Sequence, residues 1–108
     1  MRTMWLSFVD PDGEPGKKFL GVSIVDVTPE EERAALDDFP EMADKVKGPI
    51  VVAAARKAKQ LGCNPGGEIQ ALQLESIVPE GAKNQLLDKA ALLKWGFIGT
   101  EPAKEEVH

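Results

Sequence analysis

Several groups of residues in this chain could do chemistry, and each needs particular surroundings to do it. Carboxylates come in pairs at Asp10 and Asp12 and at Asp37 and Asp38. Two acids in unlike environments can run general acid/base catalysis when burial raises the pKa of one of them. These four sit in turn-like or charge-rich helical sequence, where burial is not expected, so no catalytic residue is assigned. Cys63 is the only cysteine and His108 the only histidine. A thiolate nucleophile is favoured at a helix N-terminus or beside a cation. Cys63 instead follows the end of a predicted helix and reads as core filler, while His108 closes a polar tail. No Cys-His pair and no metal site is expected. Trp5 and Trp95 could stack on a planar ligand, but both lie in apolar patterns that predict burial.

The densest turn chemistry is LGCNPGGEIQ, Leu61 to Gln70. Glycine loops that cradle phosphate run from a strand into a helix, so that free amides and the positive helix end meet the anion. Here a helix runs into a strand, and carbonyl oxygens face the loop. Asn64 before proline is held out of helical geometry, Pro65 fixes the second turn position, Gly66 supplies a positive φ and Gly67 allows a close start to the next strand. A structural turn is the expectation.

These residues belong to a chain of 108 with 43% hydrophobic and 29% charged residues and a net charge of -5. Such a length fits one domain with a modest core. The longest apolar run, Pro49 to Ala55, is far below the roughly 20 residues of a bilayer span, and the N-terminus has no leader pattern. The acidic balance opposes binding to nucleic acid phosphates. No membrane partner, no nucleic acid partner and no cofactor are expected, and a single cysteine suits the cytoplasm.

The elements that position these residues follow from patterning. Thr3 to Val9 and Phe19 to Val27 read as strands joined by a turn at Asp10-Pro11-Asp12-Gly13. Met4, Leu6 and Phe8 share one face of the first; Leu20, Val22 and Ile24 share one face of the second. Gly21 marks a bulge or a close backbone approach. Thr28-Pro29-Glu30-Glu31 is a helix start with a capping box between Thr28 and Glu31. That helix stops near Phe39, with Ala35, Leu36 and Phe39 inward, and a short helical segment, Glu41 to Val46, follows. The best helix spans Pro49 to Leu61, with Ile50, Ala54, Ala58 and Leu61 as its stripe and Gly62 as its terminator. Glu68 to Val78 reads as the third strand, its apolar parity changing between Ala71 and Leu72, which calls for a bulge or burial on both faces. A last helix lies within Asn84 to Trp95, with Asp88 as a possible cap.

The expected fold is α+β: a small three-stranded, mainly antiparallel sheet with a helix on one face and an acidic helical insertion over residues 28–48. Residues 1–99 form the domain and 100–108 a flexible tail. The third strand is placed beside the first, which makes all neighbours antiparallel. One thin helix cannot cover both apolar faces, so the insertion, the C-terminal helix or a second copy must cover the other, and a homodimer is expected.

FLGVSIVDV, KAKQLGCNPGGEIQ and KNQLLDKAALLKWG together resemble small proteins encoded in phage and prophage genomes, with LGxNPGGE the most specific piece. The resemblance spans roughly residues 3 to 96 with gaps and brings no activity or site residue with it. In fold order the chain is also similar to HicB-like antitoxin modules, from which the acidic insertion departs. The leading expectation is a non-enzymatic interaction module, a phage accessory or anti-defence protein in the host cytoplasm. It would dock on a host protein through Glu30, Glu31, Asp37, Asp38, Glu41 and Asp44. The alternative is a binder of a small nucleotide-like signal between subunits, using Trp5, Arg56, Asn64 and Glu68.

Overall fold

The computed structural model describes residues 1–45 and 48–99. The expected tail, with His108, and Val46 lie outside the described residues. Strand β1 (Arg2–Val9) pairs antiparallel with β2 (Phe19–Val27) and, on its other side, with β3 (Glu68–Leu74). The hairpin turn forms as its sequence requires. Gly13 donates its amide to the Asp10 carbonyl at 3.1 Å, and the Asp10 carboxylate accepts from the Asp12 amide at 3.0 Å. Asp10 and Asp12 are therefore turn residues.

The α+β class and the antiparallel placement of β3 beside β1 match the sequence reading. The strand count does not: a fourth strand, β4 (Leu86–Leu87), pairs with β2 at Val22 and Ser23, giving the order β3-β1-β2-β4. Two residues are too few to carry a periodic pattern, so this stretch looks like the start of the final helix. That helix, α3 (Lys89–Lys94), begins only after Asp88, whose side chain accepts the Ala91 amide. The third strand also ends at Leu74 instead of Val78.

A second correction concerns parity in β2. Phe8 lies opposite Gly21 but Val9 lies opposite Phe19, so Leu20 is an extra residue on β2. The bulge moves Leu20 away from Val22 and Ile24 and onto the face of Phe8 and Val25. Gly21 sits at this irregularity with φ +135°, and a Cβ there would lie 2.7 Å from Leu86 Cδ1 and 3.1 Å from the Leu87 carbonyl. Both readings of Gly21 hold, because the bulge and the approach of β4 occur together.

The apolar parity change in β3 has a different cause. Its register with β1 is continuous, with Ile69 opposite Phe8 and Leu74 opposite Thr3. Ile69 and Ala71 pack on one core and Leu74 on the other, so the strand contributes to both faces.

The first face carries Met4, Leu6, Phe8, Val25 and Val27, covered by Ile50, Ala53, Ala54 and Ala58 of helix α2 (Gly48–Gln60). The alanines let the helix lie close to the sheet. Leu61, expected in the same stripe, is 45% exposed because it lies past the last helical turn. Helix α1 (Pro29–Asp38) lies against α2 and contributes the buried Ala35, followed by a 3₁₀ turn over Pro40–Asp44. The insertion therefore reinforces the covered face. Leu36 is only half-buried and Phe39 is exposed, with Arg56 5.9 Å over its ring.

The second face carries Val22 and Ile24 and is roofed by Val78, Ala82, Leu87 and Leu92, with Trp5, Trp95, Phe97 and Ile98 packed alongside. Trp5 and Phe97 meet edge to face at 5.7 Å. Both tryptophans pack half-buried against this core, short of the full burial that their apolar settings predict. This roof is incomplete: Leu72 on β3 is 54% exposed and Phe19 is 44% exposed.

Candidate interaction surface

The acidic insertion is organised by its first residue. Thr28 Oγ accepts the Glu31 amide at 3.1 Å while a Glu31 carboxylate oxygen accepts the Thr28 amide at 2.8 Å, which completes the capping box. Lys57 of α2 donates to the same carboxylate at 3.2 Å. One turn before the end of α2, Arg56 pairs with Asp38 at the end of α1. The two ion pairs flank a groove of about 270 Å³ between the helices, lined also by Ala34, Ala53 and Gln60. Burial would raise the Glu31 carboxyl, but the Thr28 amide, the Lys57 ammonium and the Thr28 hydroxyl outweigh it and hold the group below its ordinary value.

The six acids assigned to a partner surface therefore divide. Glu31 and Asp38 are engaged in holding α1 on α2. Glu30, Asp37, Glu41 and Asp44 are exposed, and none of them makes an ion pair among the described residues. Glu30 and Asp37 are seven residues apart and share a helix face; Glu41 and Asp44 continue the acidic run on the 3₁₀ turn. The capping pattern T-x-x-E already marked Glu31 as structural. Nothing in the sequence marks Asp38, because its partner comes from a helix packed against it.

The four residues of the small-ligand set are not brought together. Trp5 packs with the second-face core, whereas Arg56 lies on α2, which covers the first face. Asn64 is committed to the turn: its side-chain Oδ1 accepts the Gly66 amide at 2.8 Å and its side-chain Nδ2 donates to the Ala55 carbonyl at 3.3 Å. Glu68 is exposed at the start of β3, opposite Val9.

The turn itself behaves as expected. Gly62 and Cys63 donate to the carbonyls of Lys59 and Ala58, at 3.1 and 2.9 Å, in the pairing that closes a helix through a left-handed glycine. Gly66 and Gly67 both have positive φ. A Cβ on Gly67 would stand 2.3 Å from the Val9 carbonyl oxygen, so that glycine is where the chain slides against β1. Cys63 is buried, and its carbonyl accepts the hydroxyl of the fully buried Ser23, tying the turn to the centre of the sheet.

Two features escaped the sequence. One is a polar cluster at the sheet's end: Thr3 donates to Asp26 at 2.7 Å, and Lys83 to the other Asp26 oxygen at 2.9 Å and towards Glu80 at 3.4 Å. These residues are 23 and 57 positions apart, so only the fold unites them. The other is a trough of about 660 Å³ on the second face, lined by Trp5, Ser7, Phe19, Val22, Leu92 and Ile98, with Asp88 and Lys89 at its margin.

Among the described residues no group of three or more His, Cys, Asp or Glu is placed to hold a metal ion, and no helix is long and apolar enough to cross a membrane. Comparison with protein-family models, curated proteins and solved structures gives no match.

Proposed function

We propose that the protein is a non-enzymatic interaction module that docks a basic surface of a partner protein on Glu30, Asp37, Glu41 and Asp44. The observation that carries this is the division of the acids. Glu41 and Asp44, three residues apart, repel each other, and none of the four makes an ion pair with the described residues. Glu31 and Asp38, by contrast, each gain a cation. In the phage setting implied by the sequence resemblance, the partner is a host protein in the host cytoplasm, met by an accessory or anti-defence factor.

The test is affinity capture from host lysate with the native protein and with Glu30, Asp37, Glu41 and Asp44 all changed to Lys. The fourfold variant should keep its thermal stability and lose a basic partner that the native protein retains. Changing Glu31 and Asp38 to Lys should instead lower stability by about 1–3 kcal/mol, through the lost cap and the lost pairs. Recovery of the same partner by both the native and the fourfold variant would sink the proposal.

The trough on the second face supports a second reading, capture of a small ligand with a planar ring stacked by Trp5 and Phe19. Its size suits a nucleotide-like molecule, although Arg56, Asn64 and Glu68 have no part in it. A nucleotide at about 100 times its dissociation constant should add about 2.7 kcal/mol to stability. The gain should vanish in Phe19→Ala; thermal shifts that are nil across nucleotides, or equal in the variant, would exclude this reading.

A further inference from the structure

Among the described residues, one long edge of the sheet has no partner. β3 pairs with β1 on one side only, and no backbone hydrogen bond among the described residues reaches its outer side. The opposite edge is the two-residue β4, too short to template anything. Proteins usually guard a long edge with lysine, proline, a bulge or a covering loop. β3, with the sequence EIQALQL, has none of the first three: its only charge is Glu68 at the very start, and its register is unbroken.

We propose that β3 pairs antiparallel with β3 of a second copy, joining two sheets into one continuous eight-stranded sheet around a two-fold axis at Ala71. That register opposes no like charges and brings the two Leu72 side chains towards each other. All seven residues are used: Glu68 faces Leu74 of the second copy, Ile69 faces Gln73, and Gln70 faces Leu72. The two Glu68 carboxylates then lie at opposite ends, about 20 Å apart at the rise of an extended strand, so the one charge in the strand does not oppose itself. Leu72 and Leu72 of the second copy become diagonal neighbours on the second face, about 7–8 Å apart, within reach of each other's side chains. This covers the more exposed of the two large apolar residues on that face. A C2 contact of this kind is closed, so it makes a dimer and not a fibre.

A strand pair lies at the small end of specific interfaces, where weak and transient contacts sit. The pairing is independent of the acidic docking surface, since α1 and the 3₁₀ turn lie against α2. Sedimentation velocity across a concentration series should show the 11.7 kDa chain passing to twice that mass. Leu72→Lys places two ammonium groups beside the axis at a position that is already exposed. It should weaken dimerisation by at least about tenfold while leaving the monomer folded. Amide hydrogen exchange supplies the second readout: protection should rise with concentration within residues 68–74 and little elsewhere. A native chain that stays monomeric, a dimer unaffected by Leu72→Lys, or protection that rises on α1 or the second-face trough and not on β3 would each overturn the pairing. So would a monomer that binds an extended peptide along this edge in preference to itself.

Discussion

Gly67→Ala is expected to destabilise the protein by about 3–4 kcal/mol, near the upper end of what single substitutions do. Two separate costs add. With φ at +82°, a side chain at residue 67 suffers the left-handed penalty of about 1–2 kcal/mol. Its Cβ would also stand 2.3 Å from the Val9 carbonyl oxygen, a backbone atom held by the hairpin, so strand β3 would have to move away from β1. Gly66→Ala is the control. Its φ is +91° but nothing lies within 4 Å of a Cβ, so only the conformational cost of about 1–2 kcal/mol applies. Denaturant unfolding of both variants checks the difference. Equal losses would mean that the second glycine serves only its dihedral angle, and that the close approach to Val9 carries no weight.

Asp26→Ala should cost about 2–3 kcal/mol, because it removes the acceptor of two hydrogen bonds and leaves Lys83, whose side chain is 14% exposed, with the longer 3.4 Å contact to the exposed Glu80. The pH dependence has a definite sign. Burial would raise the Asp26 carboxyl, but the hydrogen bonds from Thr3 and Lys83 and the lysine charge together hold it below its ordinary value of 3.8. Its contribution is therefore complete above that value and fades as pH falls through the lower folded value. Glu31, likewise held below its ordinary 4.5, adds to the same acid limb. Lys83 is raised above its ordinary 10.5, chiefly by its hydrogen bond to Asp26 against the cost of burial. Its contribution is complete below 10.5 and is lost as pH climbs through the higher folded value. In Asp26→Asn the acid limb should flatten and the alkaline limb should shift towards lower pH. A stability profile identical to that of the native protein would show that the cluster is solvated in solution.

Local chemistry was legible in the sequence wherever neighbours along the chain decide the outcome. The Asp10 turn, the Thr28–Glu31 capping box and the Gly62 helix end are each set within a few residues, and each forms as read. Beyond the placement of β3 beside β1, several features decided across the fold were not legible. Gly21 signals a bulge or a close approach, but nothing local shows that Leu20 is the inserted residue and so changes face. β4 exists because Asn84 donates to the Ile24 carbonyl and Leu86 and Leu87 lie against β2, in a stretch whose composition suits a helix. The acidic surface shows both cases at once. Its charge was plain from the sequence, but which carboxylates remain for a partner depended on where Arg56 and Lys57 of α2 came to rest.

Ionic strength offers the most direct check on the acidic docking surface. For the partner captured by the native protein, raising salt about tenfold shortens the Debye length from roughly 10 Å to 3 Å and should weaken binding at least about tenfold. The fourfold Lys variant should show little residual affinity at any salt. Binding that holds steady or tightens with salt, and that survives reversal of Glu30, Asp37, Glu41 and Asp44, would place the partner on an apolar surface of this protein and not on α1.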